Sequence, residues 1–178
     1  MDVYVFATEA NPALVGEKES IGSDQALRFV ASTTGRFQAF AVVELEDLAE
    51  LTGSMEQTFG NPGATGIQTA VSLRPGPMSI RWTKQYEYIA ISRIGAKPGR
   101  AMDVLAATAV VPGYNGSAIV AGAFDVLVEY GADDFDKLAD NLLNGLHDVN
   151  GIAWSETAIV SEYYYRGPRE QGEAAQAS

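Results

Sequence analysis

The chain contains no cysteine and a single histidine, His147. Disulfides, thiolate nucleophiles, iron–sulfur clusters and cysteine zinc sites are therefore excluded, as is a multi-histidine metal cage within one chain. Basic residues are scarce: 12 Lys and Arg stand against 23 Asp and Glu, a formal charge of −11. Residues 1–78 carry −6 and residues 79–165 carry −5, so both halves are acidic and neither is an acidic appendage. Phosphate backbones and anionic bilayers are bound through clustered Lys and Arg, and no such cluster exists. Neither direct nucleic-acid binding nor membrane adsorption is expected. No apolar run approaches the roughly 20 residues that span a bilayer. Met1 to Thr8 has no basic stretch followed by an apolar segment and a small-residue cleavage site, so a cytoplasmic location is expected. Neither Gly113-Tyr-Asn-Gly116 nor Gly60-Asn-Pro-Gly63 matches a nucleotide-binding loop. What is present is apolar: 47% of 178 residues are hydrophobic, with 7 Phe, 8 Tyr and 2 Trp, enough for a substantial core.

The most informative pattern is internal similarity. Gly35-Arg-Phe37-Gln38 and Gly122-Ala-Phe124-Asp125 stand 87 residues apart. Each leads into an apolar run, Ala39–Val43 and Val126–Tyr130, that reads as a buried strand. A helix follows in each copy with the same apolar spacing: Leu48, Leu51, Met55 and Phe59, then Phe135, Leu138, Leu142 and Leu146. That spacing gives each helix one apolar stripe. Acidic residues open both helices, Glu46-Asp47 and Asp133-Asp134, where they can cap free N–H groups. Both helices end in turn formers, Gly60-Asn61-Pro62-Gly63 and Asp148-Val149-Asn150-Gly151. A closing strand comes next, Ile67–Leu73 and Ser155–Tyr163, with Thr69-Ala-Val71 matching Thr157-Ala-Ile159 at a displacement of 88. Pro12 and Pro98, 86 apart, each follow a strand (Val3–Thr8, Tyr86–Arg93) and suit a helix's first turn.

The order in each half is β-α-β-β-α-β, a ferredoxin-like unit. The expected fold is thus α+β, two tandem ferredoxin-like repeats, each with a helix-free sheet face that must be buried. The expected organisation is a first repeat over 1–74, a linker over 75–84, a second repeat over 85–165 and a flexible tail over 166–178. Arg74-Pro-Gly-Pro77 marks the break, because two prolines around a glycine do not continue a central strand.

From Tyr86 to Tyr165 the chain resembles the ligand-sensing (RAM) domain of the Lrp/AsnC family of amino-acid-responsive regulators. The features that carry the resemblance are Lys97-Pro98-Gly99 at the helix start, Gly122-Ala-Phe124-Asp125 before an apolar strand, and Val149-Asn-Gly-Ile152 leading into Ser155-Glu-Thr157-Ala-Ile-Val160. The first half resembles the family only through the second, and it has Gln38 where Asp125 stands. No helix-turn-helix is expected, since Met1 leads almost directly into a strand. The resemblance implies that the two repeats pair as an intrachain dimeric α+β barrel, each sheet covering the other's helix-free face, in a tandem, DNA-reader-free module that binds a small amino-acid-type metabolite and associates further as a homo-oligomer or larger assembly.

Candidate ligand-binding residues are Gly122, Asp125, Ser155, Thr157 and Gln38. Asp125 can accept from a ligand's ammonium group, or pin its own turn by accepting from backbone N–H groups. Alternation turns Ser155 and Thr157 to one strand face and Glu156 to the other. His147 at a helix end suits the negative end of the helix dipole; chlorite-dismutase-like haem proteins offer a sharper role for it. Trp82, Trp154 and Tyr163–Tyr165 suit an oligomer interface or the core ahead of a ligand wall. No catalytic residue, metal or cofactor is expected. The competing functions are a barrel enzyme, either a cofactor-independent monooxygenase or a haem protein, and a structural component of a larger particle.

Overall fold

The computed structural model describes residues 1–9, 26–56, 65–76, 80 and 86–165. Eight strands form a closed antiparallel barrel: β1 (Asp2–Ala7), β2 (Leu27–Thr33), β3 (Ala39–Glu44), β4 (Gln68–Pro75), β5 (Tyr88–Ala96), β6 (Tyr114–Ala121), β7 (Val126–Ala132) and β8 (Ile152–Tyr165). Around the barrel the order is β1-β3-β2-β8-β5-β7-β6-β4, returning to β1. Residues 1–75 supply four neighbouring strands in the order β4-β1-β3-β2, and residues 88–165 supply β8-β5-β7-β6. Two seams join these sets. β2 pairs β8 from Phe29↔Tyr165 to Thr33↔Val160, and β4 pairs β6 from Val71↔Ala121 to Pro75↔Ala118. Among the described residues, closure leaves no unpaired strand edge.

Strands such as AFAVVE and VLVEYGA read as apolar runs because both faces are covered. Alternation sends Tyr4, Phe6, Phe29, Phe40, Val42, Ile91 and Leu127 into the lumen, where they form one buried cluster. The opposite faces pack outward: Val3, Val5, Ala41 and Val43 with Leu51 and Met55, and Ala90, Ile94, Val128 and Tyr130 with Val104, Leu105, Leu138 and Leu146.

Helices cover this outer surface. α1 (Leu51–Met55) follows a short 3-10 turn over Leu48–Glu50. α2 spans Ala101–Thr108, and α3 spans Phe135–Asp140 before widening into a π turn over Asn141–Leu146. Two of the expected acidic caps form: Asp47 accepts from the Ala49 N–H and Asp134 from the Lys137 N–H, each at 2.9 Å. The apolar stripes are only partly buried, because Leu48 is 47% exposed and Phe135 is 49% exposed. Pro98 does not open α2; Lys97 and Arg100 close a turn first, through the Arg100 N–H on the Lys97 carbonyl at 2.9 Å. β4 also runs through Arg74 and Pro75, which the sequence read as the break. Proline is tolerated there because it takes the strand's last position, and the Gly76 N–H takes up the pairing with Ser117 O at 2.7 Å. Pro12, Phe59, Gly60–Gly63, Trp82 and the tail 166–178 lie outside the described residues.

Candidate functional site at the barrel mouth

Register places Ala7, Thr33–Gln38, Gln68, Ala121–Asp125, Gly95 and Glu156 at one end of the barrel. The two Gly-x-Phe turns meet here. Phe37 and Phe124 are 3% and 4% exposed, and both rings approach Phe6 edge-on, at centroid distances of 5.5 and 5.6 Å. Between them lies Arg93, carried inward by β5 and only 4% exposed. Its guanidinium carbon sits 3.7 Å from the Phe37 ring centroid, 4.9 Å from Phe6 and 5.5 Å from Phe124, a desolvated cation–π arrangement. One terminal nitrogen donates to Gln68 Oε1 at 3.1 Å and the other donates to the Glu156 carboxylate in an ion pair. Burial pulls the Arg93 pKa down from the ordinary arginine value, and the hydrogen bond and charge of Glu156 oppose that pull. Gln68 and Glu156 stand 88 residues apart, the displacement that relates Thr69 to Thr157.

Above this pair lies a cavity of about 70 Å³, lined by Phe6, Thr33, Thr34, Gly35, Arg36, Phe37, Phe40, Ile91, Arg93, Glu156, Thr157 and Ala158. Gly35 adopts a φ of +88°, a left-handed conformation that favours glycine and lets the loop turn sharply over the opening. Thr33 Oγ1 donates to the Phe37 carbonyl at 2.6 Å and Thr34 Oγ1 accepts from the Ile159 N–H at 3.0 Å, which fixes the loop. The cavity therefore combines a buried cation, a partly exposed carboxylate and apolar walls. Such a set can hold a small zwitterion by both of its charged ends.

The five residues singled out from sequence stand around this end, in different roles. Thr157 lines the cavity, and its Oγ1 lies 2.7 Å from Ser92 Oγ. Ser155 pairs with Ile94 at the start of β8. Gln38 follows Phe37, its N–H donating to Ala7 O at 2.9 Å. Asp125 is exposed and its carboxylate accepts from the Ala96 N–H at 2.8 Å, so it ties the β6–β7 turn to the end of β5. Gly122 sits against β4, where a Cβ would lie 2.8 Å from Thr69 O. Expected alternation holds on β8, since Glu156 turns inward to Arg93 while Thr157 turns outward to Ser92.

Two lumen residues escaped the sequence reading altogether, Arg93 and Glu129. A charge at the centre of YIAISRIGA and of VLVEYGA was the available signal. Glu129 lies towards the other end of the lumen, 1% exposed, and its Oε1 accepts from Asn115 Nδ2 at 2.5 Å. Burial pushes its carboxyl up to about 8, opposed by the Asn115 hydrogen bond. Tyr163 and Tyr165 face the same lumen, while Tyr164 packs outward. His147 is exposed on the outer surface and borders an apolar groove with Phe135, Leu142, Leu143 and Leu146. Trp154 is 43% exposed. Among the described residues, no group of three His, Asp or Glu is placed to hold a metal ion, and no helix is long and apolar enough to cross a membrane.

No family model matches the chain, and no curated protein matches it. Solved structures do. The siroheme decarboxylase NirDL, in complex with an iron-uroporphyrin III analogue, aligns with a TM-score of 0.62 at 7% identity, over 92% of this chain and 72% of that one. An anthrone oxidase-like protein aligns with a TM-score of 0.54 at 13% identity, over 95% of this chain and 94% of that one. AsnC from E. coli aligns with a TM-score of 0.41 at 19% identity, over 43% of this chain. The chain spans about half of AsnC, 52% of its length. At these identities the first two likenesses bear on architecture alone: the molecule is an α+β protein built on a closed eight-stranded antiparallel barrel.

Proposed function

We propose that the barrel mouth binds a small amino-acid-type metabolite without transforming it. The observation that carries this reading is the opposed pair Arg93 and Glu156, set beside a cavity of about 70 Å³. At about 30 Å³ per water, that space suits a few waters or one small zwitterion. A ligand carboxylate would share the Arg93 guanidinium. Its ammonium would use the acceptor positions on Glu156 that Arg93 leaves open, since a carboxylate offers about four. Thr157 borders the space with its hydroxyl turned outward to Ser92, and Gln38, Gly122, Asp125 and Ser155 form the surrounding rim.

We read the chain as two like halves, 1–74 and 85–165, fused in tandem with 75–84 between them, each of the ferredoxin-like, RAM-related kind. Supporting this are the matching local strand orders, the paired Phe37 and Phe124 plugs, and the paired Gln68 and Glu156 on one arginine. Oligomerisation of this barrel with copies of itself belongs to the same reading.

A thermal-shift screen of the common amino acids at millimolar concentration tests it. A ligand present at 100 times its Kd stabilises by about 2.7 kcal/mol, a rise of roughly 5–10 °C for a chain of this size. Small amino acids should give such a rise, and Glu156→Gln should reduce it. No shift with any amino acid would overturn the reading. A Soret band in purified protein would replace it with a haem-type barrel, the class suggested by NirDL's iron-uroporphyrin complex.

A further inference from the structure

Arg93 has a second cation beside it at the barrel mouth. Arg36, the central residue of the Gly35-Arg36-Phe37 turn, also lines the cavity, and it is exposed where the cavity opens. Its guanidinium carbon lies 5.6 Å from the Phe37 ring centroid, so Arg36 and Arg93 both lie over that one ring. Burial pulls the Arg93 pKa down most, and the charge of Arg36 adds to that pull. Glu156 answers Arg93, but among the described residues no ion pair answers Arg36. The charged residues lining the cavity are thus two cations, Arg36 and Arg93, and one anion, Glu156. Their sum is +1, in a chain where 23 acidic groups outnumber 12 basic ones. Asp125, Glu9 and Lys97 also belong to this end of the barrel, but none of them lines the cavity. Asp125 accepts from the Ala96 N–H at 2.8 Å, and Glu9 accepts from the Thr65 hydroxyl at 2.7 Å. The matching turn of the second half, Gly122-Ala123-Phe124, has no cation, so Arg36 is a feature of one half alone.

We propose that the mouth selects an amino acid with a second carboxylate on its side chain, the class of aspartate and glutamate, and that Arg36 sets this selectivity. The proposal rests on the reading that the mouth binds an amino acid. Three ligand charges then meet three protein charges of opposite sign: the α-carboxylate on Arg93, the ammonium on Glu156 and the side-chain carboxylate on Arg36. The ligand's net charge of −1 complements the cavity's sum of +1. A guanidinium's planar fork of donors matches a carboxylate. Because Arg36 is exposed, this third contact lies at the opening, and the ligand's side chain need not fit the enclosed space. A negative charge beside both guanidinium groups also offsets their mutual repulsion. The acidic remainder of the chain repels anions from afar, but salt screens that over about 8 Å at physiological ionic strength, so contacts at the mouth decide.

Isothermal titration calorimetry of the full chain tests it with two pairs of ligands, L-aspartate against L-asparagine and L-glutamate against L-glutamine. Each pair differs in the one charge that Arg36 would read. In at least one pair the acid should bind roughly five-fold more tightly than its amide, the upper end of what a single exposed ion pair supplies. Raising the salt to about 0.5 M should shrink that ratio. Arg36→Ala gives the first turn the Gly-Ala-Phe sequence with which the second already folds, and it should bring the ratio close to one. Arg36→Lys keeps the charge and should keep most of the preference. Succinate lacks the ammonium, leaves Glu156 without a ligand cation, and should bind more weakly than aspartate. Equal binding of acid and amide in both pairs, a preference untouched by Arg36→Ala, or succinate binding as tightly as aspartate would overturn the proposal. If another amino acid binds and neither acid does, the selectivity alone is refuted. If no amino acid binds, the reading of the mouth is refuted with it.

Discussion

Glu129 gives the barrel a pH-dependent stability whose sign and size follow from its surroundings. Its carboxyl titrates near 4.5 when exposed in the unfolded chain and near 8 in the folded barrel, because burial penalises the charged form. The folded state therefore holds a proton that the unfolded state has released throughout that interval. Stability from this group is fully present below about pH 4.5, declines as pH rises, and levels off above about pH 8. A tenfold difference in proton affinity between the two states is worth about 1.4 kcal/mol, so the whole interval is worth at most about 5 kcal/mol. Water entry into the lumen would reduce that. Other buried carboxyls contribute as well, since burial also raises Asp2. Comparison with Glu129→Gln isolates the one group, because glutamine mimics the protonated form at every pH. Urea unfolding at pH 5, 7 and 9 should find the two proteins within about 1 kcal/mol at pH 5. At pH 9 the variant should be more stable by roughly 3–5 kcal/mol. Parallel pH profiles for the two proteins would refute the assignment of Glu129 as a neutral acid.

The Arg93 cluster makes an equally sharp demand. Arg93→Met leaves Glu156 and Gln68 without their partner and removes a cation from three aromatic rings; a loss of about 2–4 kcal/mol is expected, below the 3–5 for a fully buried pair because Glu156 is partly hydrated. A double-mutant cycle with Glu156→Gln, read by urea denaturation, should recover a coupling of about 1–3 kcal/mol; zero coupling would contradict the buried pair. Phe37→Ala and Phe124→Ala should each destabilise by about 3–5 kcal/mol, with similar values because the two rings plug the mouth in the same way. Gly113→Ala combines a φ of +79° with a Cβ 2.5 Å from Gly131 O. It should lower the thermal midpoint by several degrees, roughly 2–4 °C for each kcal/mol lost.

Architecture was legible in the sequence where it is written locally. The Gly-x-Phe turns, the acidic caps at Asp47 and Asp134, and the apolar runs of β1, β3 and β7 follow from composition and spacing within a few residues. Period-two alternation set Glu156 on the face opposite Ser155 and Thr157, but did not say which of the two faces points inward. Which strands meet at the seams is a long-range matter, and the pairing of β2 with β8 rests on contacts more than a hundred residues apart. Helix boundaries were blurred by local geometry: α3 changes to a π turn, and α2 waits for the Lys97–Arg100 turn. Arg93 and Glu129 were missed for a physical reason. A strand with one charge among apolar residues looks like any buried strand until its lumen-facing partners are known. Asp125 was read as a ligand candidate, with pinning of its own turn as the alternative; its carboxylate accepts from the Ala96 N–H at the end of β5, a long-range contact that neither reading named.

Amino-acid binding at the mouth is tested most directly by locating a ligand. Crystals grown with the amino acid that stabilises the protein most should place its carboxylate on Arg93 and its ammonium on Glu156, between the Thr33–Phe37 loop and β8. Density for that molecule at any other place on the barrel, with the space beside Arg93 filled by solvent alone, would contradict the account.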